Sequence, residues 1–188
     1  MEVSILLGSI REERKSHRLA YYLKDQMMAK GVTVNLIDLK NYPLPIFGSA
    51  ISDEERKSVE EISARLKSAQ AVVIVTPEYH SNIPAALKNI FEYCGLNLIG
   101  KVTGIASASA SKFGGLHASN NLQITLLNLG AYPASRRLLV PEIHFAFNQD
   151  NEPVQNEMKE QVERFLSELL SYTDLHENKA VKSNSISS

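Results

Sequence analysis

Two periodicities of apolar residues alternate along the chain, and their alternation predicts an α/β fold. Five apolar or alternating runs are typical of strands, at 3–7, 32–37, 71–75, 101–106 and 136–140. Apolar residues at helical spacing follow each run, in segments 16–30, 52–68, 85–93, 115–129 and 157–172. Strands that alternate with helices are typical of a doubly wound parallel sheet, so we predict one domain over residues 1–173.

The loops after three of the predicted strands are rich in groups that can bind a ligand. In open α/β sheets, ligands bind at the carboxyl ends of strands, where the strand order reverses. We therefore predict a three-layer, flavodoxin-like fold with five parallel strands in the order 2-1-3-4-5. The Rossmann order is the alternative.

Composition and charge narrow the classes of function. The chain has 188 residues, of which 44% are hydrophobic and 22% charged, and its net charge of −1 gives no electrostatic footprint for nucleic acid or an anionic membrane. The single cysteine, Cys94, excludes a disulfide framework and a cysteine metal cluster, and we expect it in the core rather than as a nucleophile. No metal site is predicted.

The start of the chain carries no targeting pattern, and its end is polar. The start lacks the features of a signal peptide, and no run is long and apolar enough to span a bilayer, so we expect a cytoplasmic protein. Residues 174–188 are polar, and we expect them to form a disordered tail.

The first candidate loop follows the first strand and is suited to bind an anion. Gly8 and Ser9 precede a helix that begins near Ser16, where free N–H groups and the helix dipole attract a phosphate. Three arginines add charge and paired donors: Arg11, Arg14 and Arg18. The glycine spacing fits neither the dinucleotide fingerprint nor the Walker loop. The alternative is a solvated basic turn.

The second candidate loop joins the buried strand at 71–75 to the next helix. It offers backbone N–H groups, the aromatic face of Tyr79 and the donors of His80 and Asn82, which suit a flat heteroaromatic ligand. Pro84 fits the first turn of the helix, with Asn82 as a candidate N-cap. The alternative is a polar loop that only connects the two elements.

Two further loops are less specific. The loop at 107–115 is small and polar throughout, so its backbone can approach a ligand closely, and a flexible linker is the alternative. The loop at 38–48 contains two prolines, which forbid a regular element, and is too apolar to lie in water alone. We expect it to cover the core, with a substrate site or a second subunit as alternatives.

Three motifs together resemble the NAD(P)H-dependent FMN reductases, a family that includes quinone, azo-dye and chromate reductases. They are Gly8-Ser9-x-Arg11-x-x-Arg14, the segment Thr76-Pro77-Glu78-Tyr79 with Pro84-x-x-Leu87-Lys88-Asn89, and the loop at 107–115. The resemblance covers residues 3–172, and the Pro-Glu-Tyr…Leu-Lys-Asn segment is its most specific part. The loop at 44–45 also resembles one near the family's substrate pocket.

The resemblance implies that FMN binds in these loops, with NAD(P)H as co-substrate. The FMN phosphate would be held by Ser9, Arg11, Arg14 and Ser16, with His17 and Arg18 as neighbours. The isoalloxazine would be bordered on one side by Pro77, Glu78, Tyr79, His80, Ser81 and Asn82. Its other edge would be approached by Ser107, Ser109, Gly114 and Gly115.

Five positions depart from the residues that are frequent in the family. His80 stands in place of Asn, Ser81 of Gly, Asn82 of Ser, Ala85 of Gly, and His117 of Arg. Since His80 and Asn82 can still donate hydrogen bonds, we expect flavin binding to be kept. The departures bear on the nucleotide preference and on the redox tuning of the flavin.

The resemblance also implies a mechanism, in which the flavin does the hydride chemistry and NAD(P)H and the acceptor use one exposed face in turn, by ping-pong kinetics. The acceptor would be a quinone, an azo compound, a flavin or a metal oxyanion, and no side chain is required as an acid or base. A homodimer or homotetramer is implied, with no nucleic acid or membrane as partner. The alternatives are a flavin-binding electron carrier or regulator without nucleotide turnover, and an α/β domain for another phosphorylated ligand.

Overall fold

One parallel sheet forms the centre of the chain. The computed structural model describes residues 1–186, with side chains described as far as Asn178. The strands are β1 (Glu2–Leu7), β2 (Thr33–Asp38), β3 (Ala71–Pro77), β4 (Val102–Ala108), β5 (Tyr132–Pro133) and β6 (Leu138–Val140). Their order is β2-β1-β3-β4-β5, and β6 also pairs with β4. The predicted flavodoxin-like order is thus confirmed.

Helices cover both faces of this sheet. They are α1 (Ser16–Ala29), α2 (Asp53–Ser68), α3 (Ala85–Cys94), α4 (Leu116–Asn128), the short α5 (Ile143–Ala146) and α6 (Asn156–Ile186). Alternate side chains of β1 point to opposite faces, so Ile5 joins a core with α1 and α6, whereas Leu6 joins a second core with α2, α3 and α4. Every residue of β3 and β4 is buried, as expected for strands covered on both faces.

The fifth strand differs from its predicted form. The run at 136–140 was expected to be one strand, but two short strands, β5 and β6, pair with different ends of β4. Ala134 donates a backbone hydrogen bond to Thr103 and continues the first pairing, while Ser135 and Arg136 are exposed and unpaired with the sheet. The polar Ser-Arg-Arg segment interrupts the strand, and its side chains bond to helices instead: Ser135 and Arg136 to Glu168 of α6, and Arg137 to Ser119 and Asn120 of α4.

The last helix is longer than the predicted segment 157–172. It continues to Ile186, and the sequence contains no glycine or proline that would break it. The side chains of Thr173 and His176 still contact the domain. The Thr173 hydroxyl is buried and donates to the carbonyl of Leu169, and the His176 ring packs 5.1 Å from that of Tyr132. Residues 174–186 of the expected disordered tail therefore continue the helix. The domain boundary at residue 173 stays a prediction, and residues 187 and 188 lie outside the described residues.

The structure shows whether a side chain caps the N-termini of α3 and α2. Asn82 does not cap α3: its Oδ1 accepts from the N–H of Ile83, and the helix begins after Pro84 without a side-chain cap. The capping residue of α2 is Ser52, in a reciprocal pair with Glu55.

Within residues 1–186, the structure contains no helix with the length and apolarity that crossing a membrane requires.

Candidate active site

The loops that follow β1, β3 and β4 meet at the carboxyl edge of the sheet and surround a cavity of about 290 Å³. Parallel strands bring these loops together because all three strands end at the same edge. The predicted site residues that line the cavity are Arg11, Arg14, Ser16, Pro77, Glu78, Tyr79 and Ser109. The cavity is also lined by Ile143 and His144 of α5, a segment to which the sequence had assigned no role, and by Glu13, Lys15, Ala108 and Ala110.

The N-terminus of α1 opens onto this cavity without a protein cap. No side chain caps the helix at Lys15, and its first turn contains no acidic residue. The Ser16 hydroxyl is buried and, within the described residues, has no hydrogen-bond partner. A buried, unpaired hydroxyl is costly, and a helix N-terminus carries partial positive charge. This end of the cavity is therefore built for an acceptor group such as a phosphate.

His17 lies beside this helix end. Its Nδ1 is also buried without a partner among the described residues, and its ring packs edge-on against Tyr21 at 5.6 Å. Burial lowers the pKa of His17 below its ordinary value of 6.5, so the imidazole is neutral at pH 7. It can supply a hydrogen bond to a ligand without supplying charge.

The three arginines of the first loop have different surroundings. Arg14 is buried in an ion pair with Asp38, and Arg18 donates to the carbonyls of Phe147 (3.1 Å) and Asn148 (2.8 Å). Arg11 is exposed, donates no hydrogen bond within the described residues and has its guanidinium carbon 5.4 Å from the centre of the Tyr79 ring. Arg11 is thus the arginine of this loop whose donors remain available to an anion.

Tyr79 joins the first loop to the second. Its hydroxyl lies 2.8 Å from the hydroxyl of Ser9, which is fully buried. The Ser9 hydroxyl thus has the tyrosine hydroxyl as a partner, and its contact with a phosphate stays a prediction. The Tyr79 ring remains half-buried at the cavity, where it can pack against a flat ligand.

The residues after Tyr79 form a tight turn. Tyr79 and Asn82 exchange two backbone hydrogen bonds of 2.9 and 3.0 Å, and the two residues between them, His80 and Ser81, have φ angles of 50° and 60°. Positive φ at both central positions is typical of a type I′ turn, which favours Asn-Gly. All three residues after Tyr79 are exposed, so this turn presents His80, Ser81 and Asn82 to a ligand or to solvent.

Glu78 has a role that the sequence did not reveal. Its Oε2 accepts from the backbone N–H groups of His117 (2.9 Å) and Ala118 (3.1 Å), at the N-terminus of α4. The carboxylate therefore caps this helix and neutralises its positive end. The side chain of His117 is exposed, and only its backbone takes part.

The third loop, at 107–115, makes most of its contacts with other parts of the chain. The Ser107 hydroxyl donates to the carbonyl of Gly114 (2.7 Å). A Cβ at Gly114 would lie 2.9 Å from the backbone of Leu139, and one at Gly115 would lie 3.0 Å from Ser107. The packing of the chain thus explains both glycines, which also have positive φ, without a ligand. Of the four predicted residues here, Ser109 faces the cavity.

A second, apolar groove of about 380 Å³ lies beside the first loop. It is lined by Ile10, Leu39, Tyr42, Leu44, Ile46, Ala85, Ala86 and Asn89. Asn89 fixes its outer wall, because its amide donates to the carbonyl of Pro45 (2.8 Å) and accepts from the N–H of Phe47 (2.9 Å). The loop at 38–48 was predicted to pack on the core. Pro45 of this loop is buried, whereas Ile46 is 79% exposed.

Cys94 lies in the core, as predicted. It is buried, and burial raises the pKa of its thiol to about 11. The thiolate that a nucleophile requires is therefore absent at neutral pH.

Comparison with known proteins identifies the family. The sequence model of the NADPH-dependent FMN reductases matches residues 1–145. The chain belongs to this family. It is 23% identical to the NADPH azoreductase of Bacillus sp. strain OY1-2 over 171 residues, which are 89% of this chain and 93% of that protein.

Other relatives agree with this assignment. The chain is 28% identical to the quinone reductase of Escherichia coli K12 over 137 residues, 70% of this chain and 72% of that protein. In structure it resembles FerB, a flavoenzyme NAD(P)H:(acceptor) oxidoreductase from Paracoccus denitrificans, with a TM-score of 0.79, 20% identity and coverage of 93% of this chain and 98% of that one. As an FMN reductase, the chain is an oxidoreductase that uses FMN and NAD(P)H.

The turn at His80 and Ser81 leads to a prediction about stability. A residue with a Cβ in the left-handed region costs about 1–2 kcal/mol, and glycine avoids this cost. We expect Ser81→Gly to raise the free energy of unfolding by about 1 kcal/mol in urea titrations. Ser81→Ala keeps the Cβ and is the matched control, for which no gain is expected. Equal stability of all three proteins would show that the turn is not strained.

Proposed function

We propose that this reductase binds FMN in the cavity at the carboxyl edge of the sheet and passes electrons from NAD(P)H to a small acceptor by ping-pong kinetics. The observation that carries the proposal is the unpaired, buried hydroxyl of Ser16 at the uncapped N-terminus of α1, which opens onto the cavity. A phosphate supplies the acceptor oxygens and the negative charge that this position lacks.

Different residues of the cavity would bind the phosphate and the ring system of FMN. Ser16, His17 and the first N–H groups of α1 would hold the phosphate, with Arg11 and Lys15 adding positive charge at the entrance. Tyr79 and the turn at 80–82 would border the ring system, and Ser109 would approach it from the third loop. Arg14, Arg18, Ser107, Gly114 and Gly115 would shape the loops rather than touch the ligand.

The reaction needs no protein acid or base. NAD(P)H gives up two electrons and one proton as a hydride and becomes NAD(P)⁺, and a quinone acceptor takes two electrons and two protons to become a hydroquinone, the second proton coming from solvent. Bound FMN supplies the hydride-transfer chemistry. The protein's part is to orient the reactants and to exclude competing reactions, and donor and acceptor would use the same open face in turn.

The apolar groove favours a planar, uncharged electron acceptor rather than a metal oxyanion. None of its lining residues carries a charge, and its volume is within the range of small-molecule sites. Ile10 connects it to the first loop, and Ala85 connects it to the second, so it lies next to the proposed flavin site. The names of the azoreductase and quinone reductase relatives agree with acceptors of this kind.

The visible spectrum tests the function. We expect the purified protein, alone or after addition of FMN, to be yellow and to bleach when NADPH or NADH is added without oxygen. A yellow protein that neither nucleotide bleaches would instead be an electron carrier or regulator. A protein that takes up no FMN would contradict the proposal.

Asn89 provides a test of the acceptor groove. Asn89→Ala removes two hydrogen bonds, each worth about 1 kcal/mol, and frees the wall that carries Leu44 and Ile46. We expect the KM for a naphthoquinone to rise about 3- to 10-fold, with little change in FMN affinity or in the rate with ferricyanide. Asn97→Ala is the control, because that amide also joins two elements, by its bond to Ser63, but lies outside the groove. An unchanged quinone KM would remove the groove from the proposal.

We also propose that the protein is a homo-oligomer. Four large apolar side chains are exposed near the end of α4 and on the segment that packs beside it: Leu96, Ile99, Ile124 and Leu127. The two segments are in contact, since Gly100 donates a backbone hydrogen bond to Gly130. A second copy of this chain would cover these side chains. A cytoplasmic location remains a prediction from the sequence.

Light scattering after size-exclusion chromatography tests the oligomer. The wild-type protein is expected to be a dimer or tetramer at micromolar concentration, and Ile124→Glu is expected to shift it toward the monomer, because a charge would be buried in the interface. Met28→Glu, at a similarly exposed apolar residue on α1, is the control and should leave the mass unchanged. A monomeric wild type, or an Ile124→Glu variant of wild-type mass, would contradict the proposal.

A further inference from the structure

A buried ion pair lies behind the proposed flavin site. Asp38, at the end of β2, accepts from both terminal nitrogens of Arg14, and the Oδ1–Nη1 distance is 2.6 Å. The two side chains are only 8% and 7% exposed. The backbone N–H of Lys40 also donates to Asp38 (3.1 Å) and fixes the carboxylate from a second side. The guanidinium of Arg14 is thus committed to the protein.

The ion pair is connected to the face of the cavity. Arg14 also donates to the carbonyl of Ser9, and the Ser9 hydroxyl contacts the hydroxyl of Tyr79 at 2.8 Å. The Tyr79 ring lines the cavity, with Arg11 over its face. A continuous series of contacts therefore runs from the edge strand β2 through Arg14 and Ser9 to the aromatic side chain that would meet the flavin ring.

We propose that Asp38 and Arg14 are positioning residues for the ring end of the flavin, and that Arg14 is not a phosphate ligand. Paired donors on a rigid guanidinium suit it to hold two elements at a fixed separation. Removal of the carboxylate leaves a buried charge without its partner, so the Ser9 carbonyl and Tyr79 lose their support. The inference depends on the proposed function, because it concerns how FMN is held.

Comparison of FMN with riboflavin distinguishes an arginine that positions the ring end of the site from one that binds the phosphate. Riboflavin has the same ring system but lacks the phosphate. A positioning residue acts on the ring and therefore on both ligands, whereas a phosphate ligand acts on FMN alone. We would titrate the full-length chain, freed of flavin, with each ligand and follow the quenching of flavin fluorescence.

Asp38→Asn and Arg14→Gln are expected to raise the Kd of both ligands by a similar factor, of about 10 or more. The ratio of the two Kd values should stay within about twofold of the wild-type ratio. Arg11→Gln is the contrasting variant, since the loss of a phosphate contact should weaken FMN by a clearly larger factor than riboflavin and so change the ratio of the two Kd values. Glu163→Gln breaks the exposed pair with Lys30 and is the matched control, for which no change is expected.

Tyr79→Phe keeps the inference testable if the Asp38 variant folds poorly. It removes one hydroxyl at the cavity and should weaken both ligands, and its effect should be less than additive with that of Arg14→Lys, because both act through Ser9. Additive effects would overturn the inference. So would an Arg14→Gln variant that loses affinity for FMN alone, or an Asp38→Asn variant with wild-type affinity. A wild-type chain that binds neither ligand would instead reject the proposed function, and this inference with it.

Discussion

The whole site depends on the burial of β3 between β1 and β4. A strand with no exposed residue satisfies its backbone only through neighbours on both edges, and the register then places Leu7 beside Val75 and Thr76 beside Ser107. The three strands therefore end together, and the loops that follow them must share one edge of the sheet. Everything proposed about the cavity follows from this alignment.

Three helices follow β1, β3 and β4 at this edge, and their N-termini differ: α3 begins after Pro84 without a side-chain cap. The carboxylate of Glu78 caps α4, so the chain itself satisfies that positive end. No side chain caps α1, where the buried Ser16 hydroxyl has no partner among the described residues. The buried, unpaired hydroxyl of Ser16 is what distinguishes α1 from the other uncapped helix, α3, and it is the reason that we propose a ligand at this terminus. The structure thus distinguishes a helix terminus that a carboxylate caps from one that has an unpaired buried hydroxyl.

The departures from the family pattern have a common structural setting. His80 and Ser81 occupy the two central positions of a turn whose backbone favours Asn and Gly, and Asn121 holds this turn by donating to the carbonyl of Ser81. The chain therefore keeps the backbone of the turn while it changes the side chains that the turn exposes. His117 is a milder departure, because its backbone N–H, which any residue provides, makes the contact with Glu78.

The sequence by itself determined the class of fold and the family, since these depend on local periodicity and on short motifs within single loops. It favoured the flavodoxin-like strand order, but the pairing of distant strands in the tertiary structure decided that order against the Rossmann alternative. It could not show that the fifth strand is split or that α6 continues past residue 172, because both depend on contacts with distant segments. Nor could it distinguish the three arginines of the first loop, which are alike in sequence. Their roles depend on Asp38, 24 residues from Arg14, and on the carbonyl of Phe147, 129 residues from Arg18. Only the tertiary structure brings those partners together, and it leaves Arg11 exposed, with its guanidinium over the Tyr79 ring.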